Sequence, residues 1–467
     1  MGVMGELPEN TDLAVIGAGV GGYVAAIRAS QLGLSVVLIE KNKLGGHCLN
    51  YACIPSKTMI HISDMFYEIQ HSQNFGIDAK ATIDPKKMHD WRMGVSEKLE
   101  KGVDFLCRSN GIEVIKGTAS FTSSNTINLT DGTTINFKKA IIATGSEPRS
   151  VKGFEFGGNV IDYKQALSLD YLPKSMCIIG AGYVAVEVAT LFAKLGTKVH
   201  IVARSDVLSK FDRDAVNLVK KRMQDLGIVV HLDAQPVSHT DNSTTLSDGN
   251  IVESELIVVA IGLSPYTENL GLDNTKVKKN EKGFIIVNNT LTTDDPNILA
   301  VGDVIGEPML AHKAIRQGVV AGEVAAGQRS SFDNIVIPAV IFSDPEIAIA
   351  GTINGEGINV SKFPASALGR AVALGKTEGF VKIAYDKHNI VKGVEIVAPD
   401  ANALISEAAL AIEMGSALED IADTIHPHPT FGEMVQEAAE TALGRPIHIV
   451  YKGKTNETND NKQKGVS

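Results

Sequence analysis

The feature that most narrows the fold is a glycine-rich unit that occurs twice. Leu13 to Glu40 reads as an apolar strand, the turn Gly17-Ala18-Gly19-Val20-Gly21-Gly22, an alanine-rich helix, Gly33, and a second strand ending on an acid. Cys177 to Arg204 repeats that order, with Gly180-Ala181-Gly182-Tyr183-Val184-Ala185 at the turn, Gly196 after the helix and Arg204 at the end. Each residue type has a physical reason. Gly17 makes the tight turn, Gly19 lets the backbone approach a pyrophosphate, and Gly22 lets helix and strand pack closely. The helix N-terminus faces phosphate, and Glu40 can accept from ribose hydroxyls. Two copies point to two dinucleotide-binding halves rather than a solenoid.

Apolar β-branched runs recur at Leu13–Ile16, Val36–Ile39, Ala140–Ala143, Cys177–Ile179, Val199–Val202 and Ile257–Ile261. Continuous runs of this kind are how buried parallel strands read. From 335 to 450 the pattern changes. Short β segments (Val336–Ile341, Phe380–Tyr385, Val391–Val397) mix with helical stretches (Ala401–Met414, Glu433–Leu443), as in an α+β domain. The residues after 451 are nearly free of apolar side chains and read as a disordered tail.

With 467 residues there is chain for about three domains. A formal charge of −10 argues against nucleic acid as a partner. No apolar run approaches the ~20 residues of a membrane span, and the acidic N-terminus has no signal-peptide character, so a cytoplasmic protein is expected. Four cysteines make no disulfide scaffold. Two of them, Cys48 and Cys53, lie just past Glu40. They could be a redox pair or two unpaired buried thiols, and with His47 and His61 they give no closed metal-ligand set. Residues i and i+5 of an ideal helix sit roughly 8–9 Å apart at Cα, beyond the ~7 Å a disulfide tolerates. If Cys48 and Cys53 bond, Leu49–Ala52 must leave regular helix. Cys107 and Cys177 read as inert core thiols.

Cys48-Leu-Asn-Tyr-Ala-Cys53-Ile-Pro-Ser-Lys57 resembles the active-site segment of the flavin-dependent pyridine nucleotide–disulfide oxidoreductases. The resemblance runs in motif order to about residue 450. It passes through Ala143-Thr144-Gly145-Ser146, Ala300-Val301-Gly302-Asp303-Val304, Leu310-Ala311-His312-Lys313-Ala314 and His426-Pro427-His428-Pro429-Thr430-Phe431-Gly432-Glu433. With Gly444-Arg445-Pro446-Ile447-His448 the end is most similar to the dihydrolipoamide-oxidising branch. Four features depart from the family pattern: His47 for Thr, Tyr51-Ala52 for Val-Gly, Ala185 for the third glycine of the second turn, and Ala203-Arg204 where an acid is expected.

The resemblance implies an α/β, glutathione reductase-like fold with two Rossmann-like domains and a C-terminal α+β dimerisation domain. It divides the chain into 1–150 for FAD, 151–270 for NAD(P), 271–335 completing the FAD site, 336–450 for dimerisation and 451–467 as the tail. It implies a redox-active Cys48–Cys53 disulfide, Cys53 facing the flavin and Cys48 exchanging with substrate. His428 is then the acid–base, oriented by Glu433 and followed by a cis Pro429, and it serves the disulfide of the other subunit of a homodimer. The helix Ala401–Met414 is a candidate for the interface. Lys57 and Glu187 form an ion pair at the flavin. FAD falls to Gly17, Gly19, Gly22, Glu40, Lys57, Gly117, Thr144, Gly145, Asp303, Ala311 and His312. The nicotinamide cofactor falls to Gly180, Gly182, Ala185, Glu187, Arg204 and Gly262.

Arg204, with Lys210 six residues on, leans the second site towards NADP, because Ala203 cannot accept from a ribose 2′-OH and an arginine binds a 2′-phosphate. The expected partner is a lipoyl-bearing carrier protein of a 2-oxo acid dehydrogenase or glycine cleavage complex. Two alternatives are an NADPH-dependent disulfide reductase of glutathione-reductase type, which Arg204–Asp212 resembles, and a flavoprotein that binds without turnover.

Overall fold

The computed structural model describes residues 10–450, so the tail from 451 and the first nine residues lie outside the described residues. The chain forms two compact units. One comprises residues up to Lys210 together with Met223–Asp333; the other comprises Phe211–Arg222 and the chain from Asn334.

Among the described residues the first unit holds a seven-stranded mixed sheet, parallel except for Thr126–Leu129 and Ala119–Ser123 at one edge, a five-stranded parallel sheet, and two smaller antiparallel sheets. In the seven-stranded sheet, Glu113–Lys116, Val36–Glu40, Asn10–Ile16 and Thr134–Ile142 lie side by side, and Ile298–Ala300 joins Thr134–Ile142 in parallel. The register sets Leu13 beside Val36 and Ala14 beside Ala140. Because both faces are covered, Leu13, Ala14, Val15, Leu38 and Ile141 are all buried, which is why these strands read as unbroken apolar runs. The second sheet runs Val229–His231, Lys198–Val202, Ser175–Ile179, Leu256–Val259, Val160–Asp162, with every pairing parallel.

Helix Val20–Gln31 packs on Ala311–Ala325 so closely that side chains larger than hydrogen do not fit at two crossing points. A Cβ on Gly318 would run into the Gly21 carbonyl, and one on Gly322 into the Ala25 carbonyl. That contact accounts for glycines in a helix interior, where each costs roughly 0.5–1 kcal/mol against alanine.

In the second unit, Ala339–Ile341, Ile347–Gly351, Val391–Val397, Phe380–Tyr385 and Asn359–Pro364 form one antiparallel sheet. Ala401–Met414 and Glu433–Ala442 bury their apolar stripes with the face carrying Val381, Ile383, Val394 and Ile396. Lys382 and Glu395 alternate with these and point to the other face. The strand expected over Val336–Ile341 is confined to Ala339–Ile341. Pro338 has no N–H to give to a ladder, so pairing starts after it.

Candidate functional site

Cys48 and Cys53 are joined in a disulfide with Cα atoms 4.7 Å apart. The helix Gly46–Asn50 stops two residues before the helix Cys53–Gln70 begins, and the break falls at Tyr51 and Ala52. That is the departure from regular helix that the spacing requires. The loop is fastened from several sides. Asn50 donates through Nδ2 to the carbonyls of Leu44 (2.8 Å) and Gly46 (3.0 Å), and Ser96 Oγ donates to the Leu49 carbonyl (3.2 Å). Cys107 and Cys177 are free and buried, and burial pushes both thiols up to about 11, which suppresses the thiolate and with it any reactivity.

Beside the disulfide loop lies the first glycine turn. Gly45 donates to the Ala18 carbonyl at 2.9 Å and pairs as a bridge with Gly19. Gly17 has φ +97°, a left-handed conformation, and a Cβ on Gly22 would strike the Gly17 carbonyl. Glu40 accepts from the Ala18 N–H through Oε2 (2.7 Å) and from the Asn42 N–H through Oε1 (2.7 Å), so it braces the turn itself. Gly19 caps helix Val20–Gln31 without any side-chain acceptor, no acid lies in the first turn, and a Cβ on Gly19 would meet no atom within 4 Å. Unpartnered helix N–H groups facing open space are what a pyrophosphate fits. Gly182 before Tyr183–Lys194 has the same three properties. A dinucleotide therefore fits both turns.

The remaining sequence-derived positions fall around these turns in the same unit. Glu187, buried on the second turn's helix, accepts from Lys57 Nζ at 2.8 Å and from Ser56 Oγ at 3.1 Å, which ties it to the helix of Cys53. Thr144 Oγ1 donates to the Tyr266 carbonyl (2.6 Å), and Gly145 accepts from the Tyr266 N–H (2.9 Å). Asp303 accepts from Ser146 Oγ at 2.6 Å; burial pushes its carboxyl up, against the pull of Ser146 and Lys313. Ala311 and His312 open the helix Ala311–Ala325. Gly117 donates to the Glu40 carbonyl, and Gly262 accepts from the Arg149 N–H at the end of the second sheet. Ala185 is fully buried under the second turn. Arg204 is exposed past the strand Lys198–Val202, while Ala203 beside it is buried, and Lys210 lies 3.9 Å from Glu307.

In the second unit His428 projects into solvent, its side chain 77% exposed. Its Nδ1 donates to Glu433 Oε1 at 2.7 Å, and Glu433 Oε2 accepts from the Thr430 N–H at 2.8 Å. Burial pushes the Glu433 carboxyl up, but His428 and Thr430 outweigh it and hold the group below the usual carboxylate range. A carboxylate on Nδ1 fixes the ring's orientation and, in the neutral ring, selects the tautomer whose Nε2 is the acceptor. The His428–Pro429 bond is cis.

Three partners escaped the sequence reading. His426 is gripped by Glu407 (2.9 Å) and the Thr424 carbonyl (2.9 Å); Ser56 joins Lys57 on Glu187; and the Tyr163 hydroxyl bonds His47. Of these only His47 carried a signal, as a departure from the family pattern.

A family model described as Pyridine nucleotide-disulphide oxidoreductase matches residues 11–318, and the dimerisation-domain model of the same family matches residues 337–439. Proteins named dihydrolipoyl dehydrogenase from Geobacillus stearothermophilus and from Halobacterium salinarum are each 42% identical, over 96% of this chain and 100% and 99% of their own. Among solved structures, LpdA from Mycobacterium tuberculosis is similar with a TM-score of 0.86 and 25% identity, over 92% of this chain and 99% of that one. The HOCl-induced flavoprotein disulfide reductase RclA from Escherichia coli is similar with a TM-score of 0.83 at the same identity and coverage.

Proposed function

Because the chain belongs to the pyridine nucleotide–disulphide oxidoreductases, we propose that it oxidises dihydrolipoamide to lipoamide and passes the electrons through FAD to NAD(P)+. The observation that carries this reading is the Cys48–Cys53 disulfide set in a broken helix against an uncapped dinucleotide turn. FAD, when bound, supplies the two-electron carrier between disulfide and nicotinamide. Gly17, Gly19 and Gly22 would hold its pyrophosphate, and Glu40, Gly117, Thr144, Gly145, Asp303, Ala311 and His312 would hold the rest of it. Gly180, Gly182, Ala185, Arg204 and Gly262 receive the nicotinamide cofactor. Lys57, held by Glu187, would supply a cation to the flavin.

His428, oriented by Glu433, removes a proton from a thiol of dihydrolipoamide. The thiolate attacks the Cys48 sulfur, the Cys48–Cys53 bond breaks, and Cys53 leaves as a thiolate. The second lipoyl thiol, deprotonated in turn, attacks the mixed disulfide at its lipoyl sulfur and expels Cys48. Lipoamide closes, and two electrons now reside on the cysteine pair. The acid–base and the disulfide come from different subunits of a homodimer in this reading, for which the dimerisation domain is the support. The domain boundaries at 150, 270 and 335, the lipoyl carrier as partner, and a cytoplasmic site of action are proposed on the same footing; no helix among the described residues is long and apolar enough to cross a membrane.

The exposed Arg204 beside buried Ala203 favours one second reading, an NADPH-dependent reductase of glutathione-reductase type. Steady-state rates decide between them. Dihydrolipoamide oxidation with NAD+ or NADP+, lost in Cys48→Ser while FAD stays bound, is the expected result. Turnover of oxidised glutathione with NADPH, and none of dihydrolipoamide, would overturn it.

A further inference from the structure

The disulfide loop hangs from a residue that the reaction does not use. His47 immediately precedes Cys48, and its carbonyl accepts the N–H groups of both break residues, Tyr51 at 2.9 Å and Ala52 at 3.0 Å. Its ring is hydrogen-bonded through Nε2 to the Tyr163 hydroxyl. Tyr163 is 5% exposed and opens the short helix Tyr163–Ala166, which is fixed by reciprocal bonds between Asp162 and Gln165. Burial, and then Lys164, pulls the His47 imidazole down to about 4, while burial pushes the Tyr163 phenol far up. Both groups are neutral at ordinary pH, so the phenol donates, Nε2 accepts, and the ring proton stays on Nδ1.

Chain geometry explains why an anchor matters at this point. Only Tyr51 and Ala52 separate the helices Gly46–Asn50 and Cys53–Gln70. A continuous helix would set the two cysteines roughly 8–9 Å apart at Cα, against 4.7 Å in the closed disulfide. Once the S–S bond opens, no covalent tie opposes repair of the helix, and repair carries the sulfurs apart.

We propose that the His47–Tyr163 hydrogen bond is a positioning clamp that keeps the two reduced cysteines within reach of each other and thereby sets their dithiol–disulfide equilibrium. The inference rests on the reading of Cys48 and Cys53 as the redox pair. Opening takes up two electrons and two protons as one S–S bond becomes two thiols, and closing returns them to the external dithiol couple. The clamp alters neither count. It restricts the open form, which raises the effective concentration of one thiol towards the other and favours closure.

The test equilibrates the full-length, FAD-loaded protein with graded mixtures of oxidised and reduced dithiothreitol and reads the open fraction by alkylation and mass. Tyr163→Phe is expected to weaken closure about five- to tenfold, the loss of one buried neutral hydrogen bond, which reads as ~20–30 mV towards a more positive potential. His47→Ala should give the same shift, and the double variant no more than either alone. His47→Gln, whose amide oxygen can accept from Tyr163, should remain within about twofold of wild type. Tyr163→Phe and His47→Ala both within about twofold of wild type, with FAD retained, would overturn the clamp, as would shifts that simply add. Should Tyr163→Phe not fold, His47→Ala, which keeps the tyrosine ring, decides alone. No lipoyl substrate enters this measurement, so its outcome stands apart from whether wild type turns over dihydrolipoamide.

Discussion

Glu395 provides a pH experiment whose size can be worked out in advance. Its side chain is fully buried on the strand Val391–Val397, and neither carboxyl oxygen has a hydrogen-bond partner. Across the sheet it stands in register with Lys382, which stands in register with Lys362. Both lysines are engaged elsewhere: Lys382 with Asp212 (2.7 Å) and Asp214 (2.9 Å), and Lys362 with Asp214 (2.8 Å). Burial, followed by repulsion from Asp212, pushes the Glu395 carboxyl up to about 7, and Lys382 and Lys362 pull back only in part.

A carboxyl whose folded value is raised stabilises the fold fully below its unfolded value near ~4.3, and that contribution is lost as pH rises through about 7. At about 1.4 kcal/mol per pH unit, roughly 2.5 kcal/mol disappears between pH 5 and pH 8. Glu395→Gln keeps the shape and removes the ionisation. At 2–4 °C per kcal/mol for a unit of this size, the melting temperature of the variant should gain roughly 5–10 °C on wild type as pH goes from 5 to 8. Thermal scans of the full chain in matched buffers read the gap, and effects common to both proteins cancel in it. A gap that stays constant within about 1 °C would refute the reasoning, whatever its sign.

Three further outcomes are expected. Arg204→Ala should lower the ratio of kcat/KM for NADP+ over NAD+ by tenfold or more, from loss of a charge-assisted phosphate contact worth ~1.5–3 kcal/mol; a wild-type ratio well below one that the substitution leaves unchanged would show that Arg204 reads no phosphate. Glu433→Gln should lower kcat for dihydrolipoamide by about a hundredfold with little change in thermal stability, since His428 loses the carboxylate that orients it, and unchanged kcat in stopped-flow or steady-state assays would show that Glu433 does not serve His428 in the chemistry. Oxidised, denatured protein should titrate with two thiols, Cys107 and Cys177, and reduced protein with four.

The parts of this fold that could be read in advance are those dictated by local spacing. Buried parallel strands announce themselves as apolar runs, and the turns at Gly17 and Gly180 need glycine for reasons of backbone geometry alone. Helix Ala401–Met414 and the strands Phe380–Tyr385 and Val391–Val397 were legible to the residue. The three-stranded antiparallel sheet Pro236–Thr240, Ser243–Leu246, Ile251–Glu253 was not, because half-exposed strands rich in Ser and Thr resemble loops. Cys48 with Cys53 in the first unit, and His428 with Glu433 in the second, lie five residues apart and show in the text of the chain. Ser56 with Glu187, and His47 with Tyr163, are separated by more than a hundred residues, and no periodicity reports a contact of that kind.

The uncapped helix starts at Gly19 and Gly182 also bear on the life of the protein in a cell. Each presents backbone donors that a bound phosphate would satisfy, and a chain with ligand bound is stabilised by RT ln(1 + [L]/Kd). A tightly held flavin nucleotide at a thousand times its Kd adds about 4 kcal/mol, a large share of the 5–15 kcal/mol that keeps a folded protein folded. Newly made chains therefore differ in lifetime according to whether they have met their nucleotide. Vitamin supply then acts on this enzyme twice: through the number of working sites, and through how many polypeptides escape the proteases long enough to be filled.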